Sequence, residues 1–418
     1  MGKLIGIDTG GTYTDAVLFD EGRGVLAKAK ALTTRHDLSE GIGAVLDAVL
    51  SEGGTPADEV GMVALSTTLA TNAIVEGQGG RIGLVMIGFA ERDLDRGGLK
   101  AAVREDAAVL IAGGHDAFGS ELAPLDLAAL DAWLIAHGEA VTGFAVAGQF
   151  SIANPDHETR VRAAIEARTG LPVTCSHELT ARLDGPKRAL TAVLNARLVP
   201  IIHHLIDATQ ALLARRAIAS PLMIVKGDGS LLSVAEARRK PVETILSGPA
   251  ASLVGASFLC GLPSAIVSDI GGTTTDIGLI EDGRPRLDPE GAVVGGHATF
   301  VEAVRLRTFG LGADSDVSLD PGGLRLGPRR VIPISLLAVG HPDEVHRQLD
   351  RHLAMPAPPE TAGRFAVAIG HGERDDRHRG SAEAEVLDFL RDGPCPLDKL
   401  AGAYRRRIAL ARLTGFGE

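Results

Sequence analysis

The chain has 418 residues, 45% of them apolar, 23% charged and 3% aromatic, with a formal net charge of −11 and 3 cysteines. That length and apolar share allow one or two sizeable cores and point to two domains or more. The acidic balance and scarce aromatics exclude a basic, stacking-capable face for nucleic acid, and the wide separation of Cys175, Cys260 and Cys395 excludes a disulfide framework or a cysteine-based zinc site.

The opening stretch, MGKLIGID, enters an apolar strand pattern with neither a basic leader nor a long apolar segment, so no secretory signal is expected. No apolar stretch reaches spanning length without Gly, Pro or charge; the cytoplasm is the expected location, without membrane or nucleic-acid partners. Strand patterns follow at Leu4–Ile7, Ala16–Phe19, Val25–Ala29, Gly61–Leu65, Ile82–Ile87, Ala108–Ile111, Gly143–Ala147 and Val173–Cys175. Helical patterns lie between them, which is the alternation of an α/β protein. One helix takes Asp37 or Ser39 as its N-cap and stops at Gly53-Gly54; another takes Asn154 as its N-cap, with Pro155 in the first turn, and stops at Gly170. A long helix from about Gly185 to Arg216, bent or interrupted at Pro200, bridges two halves and is a candidate hinge. Further strands are expected at Leu222–Val225, Ile266–Ser268 and Ile277–Ile280, with a helix at Pro249–Leu259. Beyond Leu336 the chain is rich in His, Arg, Asp and Pro. Its His341, His346, His352, His371 and His378 lack a supporting ligand spacing and read as a solvated helix face and charged loop. Two amphipathic helices around a Pro-Gly turn are expected in AEVLDFLRDGPCPLDKLAGAYRRRIALARL.

One pattern occurs twice. Between Asp8–Arg23 and Asp269–Arg284, nine of sixteen aligned residues are identical. Two unrelated hairpins would account for the glycines, but turn chemistry does not demand the paired Asp or the threonines. A strand ending in Asp, then Gly-Gly-Thr and a return strand, presents unhindered backbone amides to a phosphate. The expected nucleotide contacts are Gly10, Gly11, Thr12 and Thr14 in the first loop and Gly271, Gly272, Thr273 and Thr274 in the second. Asp8 and Asp269 are the candidate catalytic and metal-binding carboxylates, suited to Mg²⁺ or to orienting a nucleophile. The expectation is one loop per domain with ATP in a cleft between them. No G-x-x-x-x-G-K-[ST] sequence offers the other common phosphate cradle.

At these residues the chain resembles the superfamily of sugar kinases, actin and chaperone ATPases. IGIDTGGTYTDAVL, STTLATNAIVEGQGGRIGLV, CSHELTARLDGPKRALTAVLNARLVP, VKGDGSLLSVAEARRKPVETILSGPAASLVGA and SDIGGTTTDIGLIEDGRP follow in order the pattern of ATP-dependent hydantoinases and 5-oxoprolinases, specifically the A-type subunit. The resemblance covers about Lys3 to Pro328. It implies duplicated actin-like (ribonuclease H-like) α/β domains: 1–190 with the first loop, 191–335 with the second, and a small helical segment at 336–418. It also implies ATP and Mg²⁺ as cofactors, with K⁺ as a further candidate, a small-molecule carbonyl or cyclic amide as substrate, and a B-type partner subunit; a homodimer is carried alongside.

Thr67, Thr68 and Asn72 in LSTTLATNA stand at a strand end before a helix, where they bind an anion or carbonyl or simply cap the helix. Lys226 in VKGDGS reaches a phosphate or substrate carboxylate, or belongs to an ordinary turn. Near the expected adenosine pocket, TFGLGADSDV keeps Gly310 and Gly312 but continues with Ala313 and Asp314. The long carboxy-terminal region of large relatives is absent, so the chain resembles a short or truncated branch. Three function classes follow: an ATP-dependent amidohydrolase or carboxylase subunit, a small-molecule kinase of the same fold, and a non-catalytic nucleotide-gated protein.

Overall fold

The computed structural model describes residues 2–34, 37–103, 108–320, 322–359, 361–368, 386, 390–391 and 393–403. Contacts divide them into two compact units, Met1–Asp269 with Asp276–Arg307, and Ile270–Thr275 with Thr308–Glu418.

The first unit begins with a meander, β1 (Lys3–Thr9), β2 (Tyr13–Asp20) and β3 (Gly24–Leu32), covered by α1 (Leu38–Glu52) and followed by β4 (Val60–Thr67) and α2 (Leu69–Val75). Alternation in β1 buries Ile5, Ile7 and Thr9 on one face, and α1 lays Ile42, Val45, Leu46 and Val49 into the same core. Asp37, not Ser39, caps α1: its side chain accepts from the Ser39 amide at 2.9 Å. Next come β5 (Ile82–Ile87), α3 (Leu99–Ala102), β6 (Ala108–Ile111), α4 (Leu127–His137), β7 (Gly143–Gly148), α5 (Asp156–Thr169), β8 (Val173–Cys175) and α6 (Ser176–Leu179). In α5 the Asn154 side chain accepts from the Asp156 amide at 3.1 Å, and Gly170 ends the helix at φ 67°.

Helix α7 (Gly185–Arg215) is continuous through Pro200, so of the expected bend or interruption there is no interruption. Pro200 is exposed, whereas Leu190, Leu194, Leu198, Ile202, Ile206 and Leu213 are buried; packing of that apolar face outweighs one lost backbone bond. By length and composition α7 is the one described helix able to cross a membrane, but it is a core helix, packed on β5, β7, β8, α1 and α2. The expected boundary at residue 190 falls inside it.

The chain continues through β9 (Leu222–Val225), β10 (Leu231–Ser233), α8 (Val234–Arg239), α9 (Ser247–Cys260), β11 (Ala265–Ile270), β12 (Thr275–Glu281), β13 (Arg284–Pro285), β14 (Val293–Val294), β15 (His297–Ala298) and β16 (Leu306–Phe309). Three sheets matter for function. The first has order β10-β9-β4-β1-β2-β3, with β1, β4 and β9 parallel. The second, β6-β5-β7-β8, is wholly parallel. The third joins β11, β12 and β13, with β16 also on β12.

The second unit contains the β17 (Ser315–Asp320) and β18 (Gly323–Arg330) hairpin, α10 (Ile334–Gly340), α11 (Pro342–Leu353) and a last described helix, Leu397–Ala403. His341 and His346 are exposed as expected. His352 is not: it is buried, its Nδ1 accepts from the Gly363 amide at 3.2 Å and its Nε2 lies 3.4 Å from Asp398. His371, His378 and most of the first expected tail helix lie outside the described residues.

Candidate active site

The parallel strands β1, β4 and β9 end together. Their register places Asp8 beside Ser66 and Thr9 beside Thr67, and Leu65 beside Ile224, so Lys226 follows β9 at the same level. In open α/β sheets ligands bind beyond these carboxyl ends. Past Thr9 the chain turns back through Gly10, Gly11 and Thr12, closed by the Gly10 amide donating to the Tyr13 carbonyl at 3.0 Å. Gly11 and Thr12 are exposed, which leaves the turn open to a ligand. Thr14 is elsewhere: it is buried, 3.0 Å from the Thr33 hydroxyl, which in turn donates to the Gly10 carbonyl at 2.9 Å. It braces the loop from beneath.

Asp8 accepts a short hydrogen bond from the Ser66 hydroxyl. Burial raises its pKa above the ordinary aspartate value; Ser66 opposes that, and the negative charges of Asp15 and Asp269 add to it. Asp8 and Asp269 are near enough for their charges to act on each other. The first turn of α9 closes over this point. The Ser247 hydroxyl donates to the Thr67 carbonyl at 2.9 Å, and Gly248 is so close that an added Cβ would stand 3.3 Å from Thr68 and 3.5 Å from Asp8 Oδ1. One turn on, the Ser252 hydroxyl donates to Asp269 at 2.7 Å. Helix α9 therefore bonds Asp269 through Ser252 and passes beside Asp8 at Gly248.

The threonines divide their roles. Thr67 Oγ1 accepts from the Leu69 amide at 3.0 Å, the capping alternative. Thr68 Oγ1 is 3.4 Å from the Asn72 amide group, and that group would be 3.8 Å from a Cβ on Gly11. Asn72 thus reaches the first loop. Lys226 is held by Glu243 at 3.1 Å and Asp228 at 3.2 Å; burial opposes its charge, but these carboxylates raise its pKa above the ordinary lysine value. It stands at the strand ends as a paired cation.

In the second unit the repeat rebuilds the same turn. The Gly271 amide donates to the Thr274 carbonyl at 2.9 Å, the counterpart of Gly10 to Tyr13. Here the brace is TFGLGADSDV: the Ala313 and Asp314 amides donate to the Gly271 and Gly272 carbonyls at 3.1 and 2.9 Å, and Thr275 donates to the Leu311 carbonyl at 2.6 Å. A Cβ on Gly312 would meet the Gly272 carbonyl oxygen at 2.5 Å, so only glycine fits without moving the loop. Gly310 has nothing within 4 Å of its Cβ position.

Sequence reasoning missed a second polar centre at the carboxyl ends of β7 and β8. Glu158, fully buried, accepts from the Gly148 amide and the Ser176 hydroxyl at 2.7 Å, from the His177 amide at 3.1 Å and from His177 Nδ1 at 2.5 Å. Buried Arg188 donates to the Gly148 carbonyl at 2.9 Å and reaches Ser176 at 3.4 Å. Burial works against the Glu158 charge, yet His177 and Ser176 hold its carboxyl below the ordinary glutamate range. Cys175 completes a Glu158–Cys175–His177 trio with metal-ligand spacing. Burial, then the Glu158 charge, push its thiol up to about 12, and the Glu158 oxygens are filled by donors. The trio is a charge network, not a metal site.

Two outcomes follow. Replacing Asp8 by Asn keeps an acceptor for Ser66 and removes a carboxylate whose raised pKa makes the fold lose stability as pH climbs from the unfolded value, 3.8, to the folded one. The Asp8→Asn midpoint of thermal unfolding at neutral pH should match or exceed the parent's; a clear fall would contradict the repulsion described. Replacing Glu158 by Ala strands the Arg188 charge and should cost ~3–5 kcal/mol in denaturant unfolding at pH 7. Because the Glu158 pKa is depressed, the parent loses this contribution as pH falls from about 4.5 through the folded value, whereas the variant has none to lose.

Residues 4–169 match the hydantoinase/oxoprolinase N-terminal region and residues 188–333 match hydantoinase/oxoprolinase. The chain is 31% identical to the caprolactamase subunit alpha of Pseudomonas jessenii over 78% of its own length and 50% of that protein. To the acetophenone carboxylase gamma subunit of Aromatoleum aromaticum it is 29% identical, over 78% and 49%. The crystal structure of the ATP-dependent caprolactamase from Pseudomonas jessenii superposes with a TM-score of 0.66 at 29% identity, over 78% of this chain and 51% of that one. The chain spans about half the length of the curated relatives it matches. The fold class implied by the resemblance, α/β of the actin-like ATPase superfamily, is the one found. With both family regions present in order, the chain belongs to the hydantoinase/oxoprolinase family.

Proposed function

We propose that this chain is the ATP-using part of an enzyme that activates the carbonyl of a lactam, hydantoin or ketone for ring opening or carboxylation. The observation that carries this reading is the duplicated turn, closed alike at Gly10–Tyr13 and Gly271–Thr274, each preceded by an Asp that accepts from a serine hydroxyl, Asp8 from Ser66 and Asp269 from Ser252. The relatives' names supply the reaction class: a caprolactamase, an acetophenone carboxylase, a 5-oxoprolinase.

In this reading the amides of Gly11 and Thr12 cradle a phosphate, and the turn at Gly271–Thr274 is a second cradle of the same kind. Asp8 and Asp269 would hold Mg²⁺, which supplies charge neutralisation to the transferring phosphoryl group. Ser66 and Ser252 keep the two carboxylates aimed, so little reorganisation is needed when charge moves. Asn72, beside the first loop, orients a carbonyl or phosphate oxygen. Phosphorylation of the substrate's carbonyl oxygen turns a poor leaving group into a good one. The relatives are named as subunits, and a B-type partner completes the reaction in the cytoplasm. A kinase of the same fold is the alternative; it would stop at a phosphorylated product.

Asp8→Ala and Asp269→Ala should each lower Mg·ATP-dependent phosphate release by about 100-fold or more with the fold intact by circular dichroism. A panel of lactams, hydantoins and ketones separates the readings: free phosphate with an opened ring supports the hydrolase, a stable phosphorylated product the kinase. Unaltered Mg·ATP affinity by calorimetry in both variants would contradict the two-carboxylate site.

A further inference from the structure

Helix α9 meets both candidate carboxylates, and it begins from a disfavoured backbone conformation. Leu246, the residue before its first turn, stands at φ 59° and ψ 18°, the left-handed region in which a Cβ crowds the backbone. Glycine would adopt this turn freely, but the leucine side chain is half-buried and packs against the main core. The residues on either side are fixed. Before it, the Val242 amide donates to Asn195 Oδ1 at 3.1 Å, and the Ile245 carbonyl oxygen lies where a Cβ on Gly227 would be only 2.3 Å away. After it, the Ser247 hydroxyl donates to the Thr67 carbonyl at 2.9 Å and accepts from the Thr67 amide at 3.2 Å. The Leu246 amide donates to the hydroxyl of Thr71 at 2.9 Å.

A left-handed leucine relaxes towards ordinary backbone conformations unless the contacts around it over-determine its geometry. Thr71 supplies such a contact from α2, one residue before Asn72, which reaches the first loop. We infer that Thr71 is a positioning residue for phosphoryl transfer. Its hydroxyl holds Leu246 left-handed, that conformation sets the direction in which α9 leaves, and the direction of α9 puts Ser252 on Asp269 and Gly248 beside Asp8. Without the hydroxyl the Leu246 amide loses its acceptor, the leucine relaxes, and α9 pivots about its own start so that Ser252 no longer aims Asp269. Mg²⁺ between misaligned carboxylates is bound less tightly, because partners that orient a ligand carboxylate also set metal affinity. This role rests on the reading of Asp8 and Asp269 as the metal site.

Substitutions in the full chain test both steps. In denaturant unfolding without nucleotide or metal, Thr71→Val should lower the midpoint of the parent and do so much less in a Leu246→Gly background, since glycine stays left-handed without the hydroxyl. Additive effects would overturn the hold on Leu246. In Mg·ATP-dependent phosphate release, Thr71→Val should raise the Mg²⁺ concentration for half-maximal rate by ~10-fold. Thr71→Ser should keep the parent value, and adding Leu246→Gly to Thr71→Val should bring it back to within ~3-fold. A threonine that only supports the fold would lower the unfolding midpoint and the maximal rate but leave the Mg²⁺ midpoint in place, and that result would overturn the positioning role. A parent that releases no phosphate from Mg·ATP contradicts the metal-site reading and this role with it. An active parent that Asp8→Ala silences, yet whose Mg²⁺ midpoint ignores Thr71→Val, contradicts the positioning role alone.

Discussion

Everything proposed for this protein depends on one constraint, the seating of α9 against the end of the first sheet. Ser247 pins the helix start to Thr67, Gly248 stands beside Thr68 and Asp8, and Ser252, one turn later, holds Asp269. Helical geometry brings i and i+4 to one face, so one face of α9 meets two carboxylates that belong to strands remote in sequence. The cost is electrostatic, since burial and mutual repulsion both act against ionised Asp8. Sites that bind cations or move phosphoryl groups carry such unfavourable charge when empty.

The same turn is braced in two ways. Thr14 and Thr33 support the first loop from below through side chains, whereas the second leans on a backbone segment, Leu311 to Asp314, that needs Gly312 for its approach. Duplication has kept the turn and replaced its support. The Glu158–Arg188 network plays a comparable role for the second sheet, joining the ends of β7 and β8 to the start of α7. That cost of burying charge is met by four donors to one carboxylate.

Much of this was legible in the sequence because it is local. The strand ends, the Gly-Gly-Thr turns, Asp8 and Asp269, the Asp37 cap and the Gly170 stop all rest on residues close together in the chain. Thr14 was assigned to the ligand because a hydroxyl beside a phosphate loop looks available; period-two alternation instead turns it inward with Ile5 and Leu18. The Ser66 and Ser252 bonds to the two carboxylates, and the network of Gly148, Glu158, Ser176, His177 and Arg188, join segments whose proximity no spacing rule announces. Pro200 offers a bend or an interruption because local propensity disfavours it in a helix, and the buried face of α7 keeps the helix continuous. The His352 position reads as solvated from composition, but its neighbours are Gly363 in a turn and Asp398 in the last described helix.

The central claim is that Asp8 and Asp269 act as one site. A double-mutant cycle on Mg·ATP affinity, using Asp8→Asn, Asp269→Asn and the double variant in calorimetry, tests this directly. If the carboxylates share one cation, the second substitution costs far less than the first, leaving a coupling of about 1 kcal/mol or more. Additive losses, within about 0.5 kcal/mol, would show two independent groups and contradict the account.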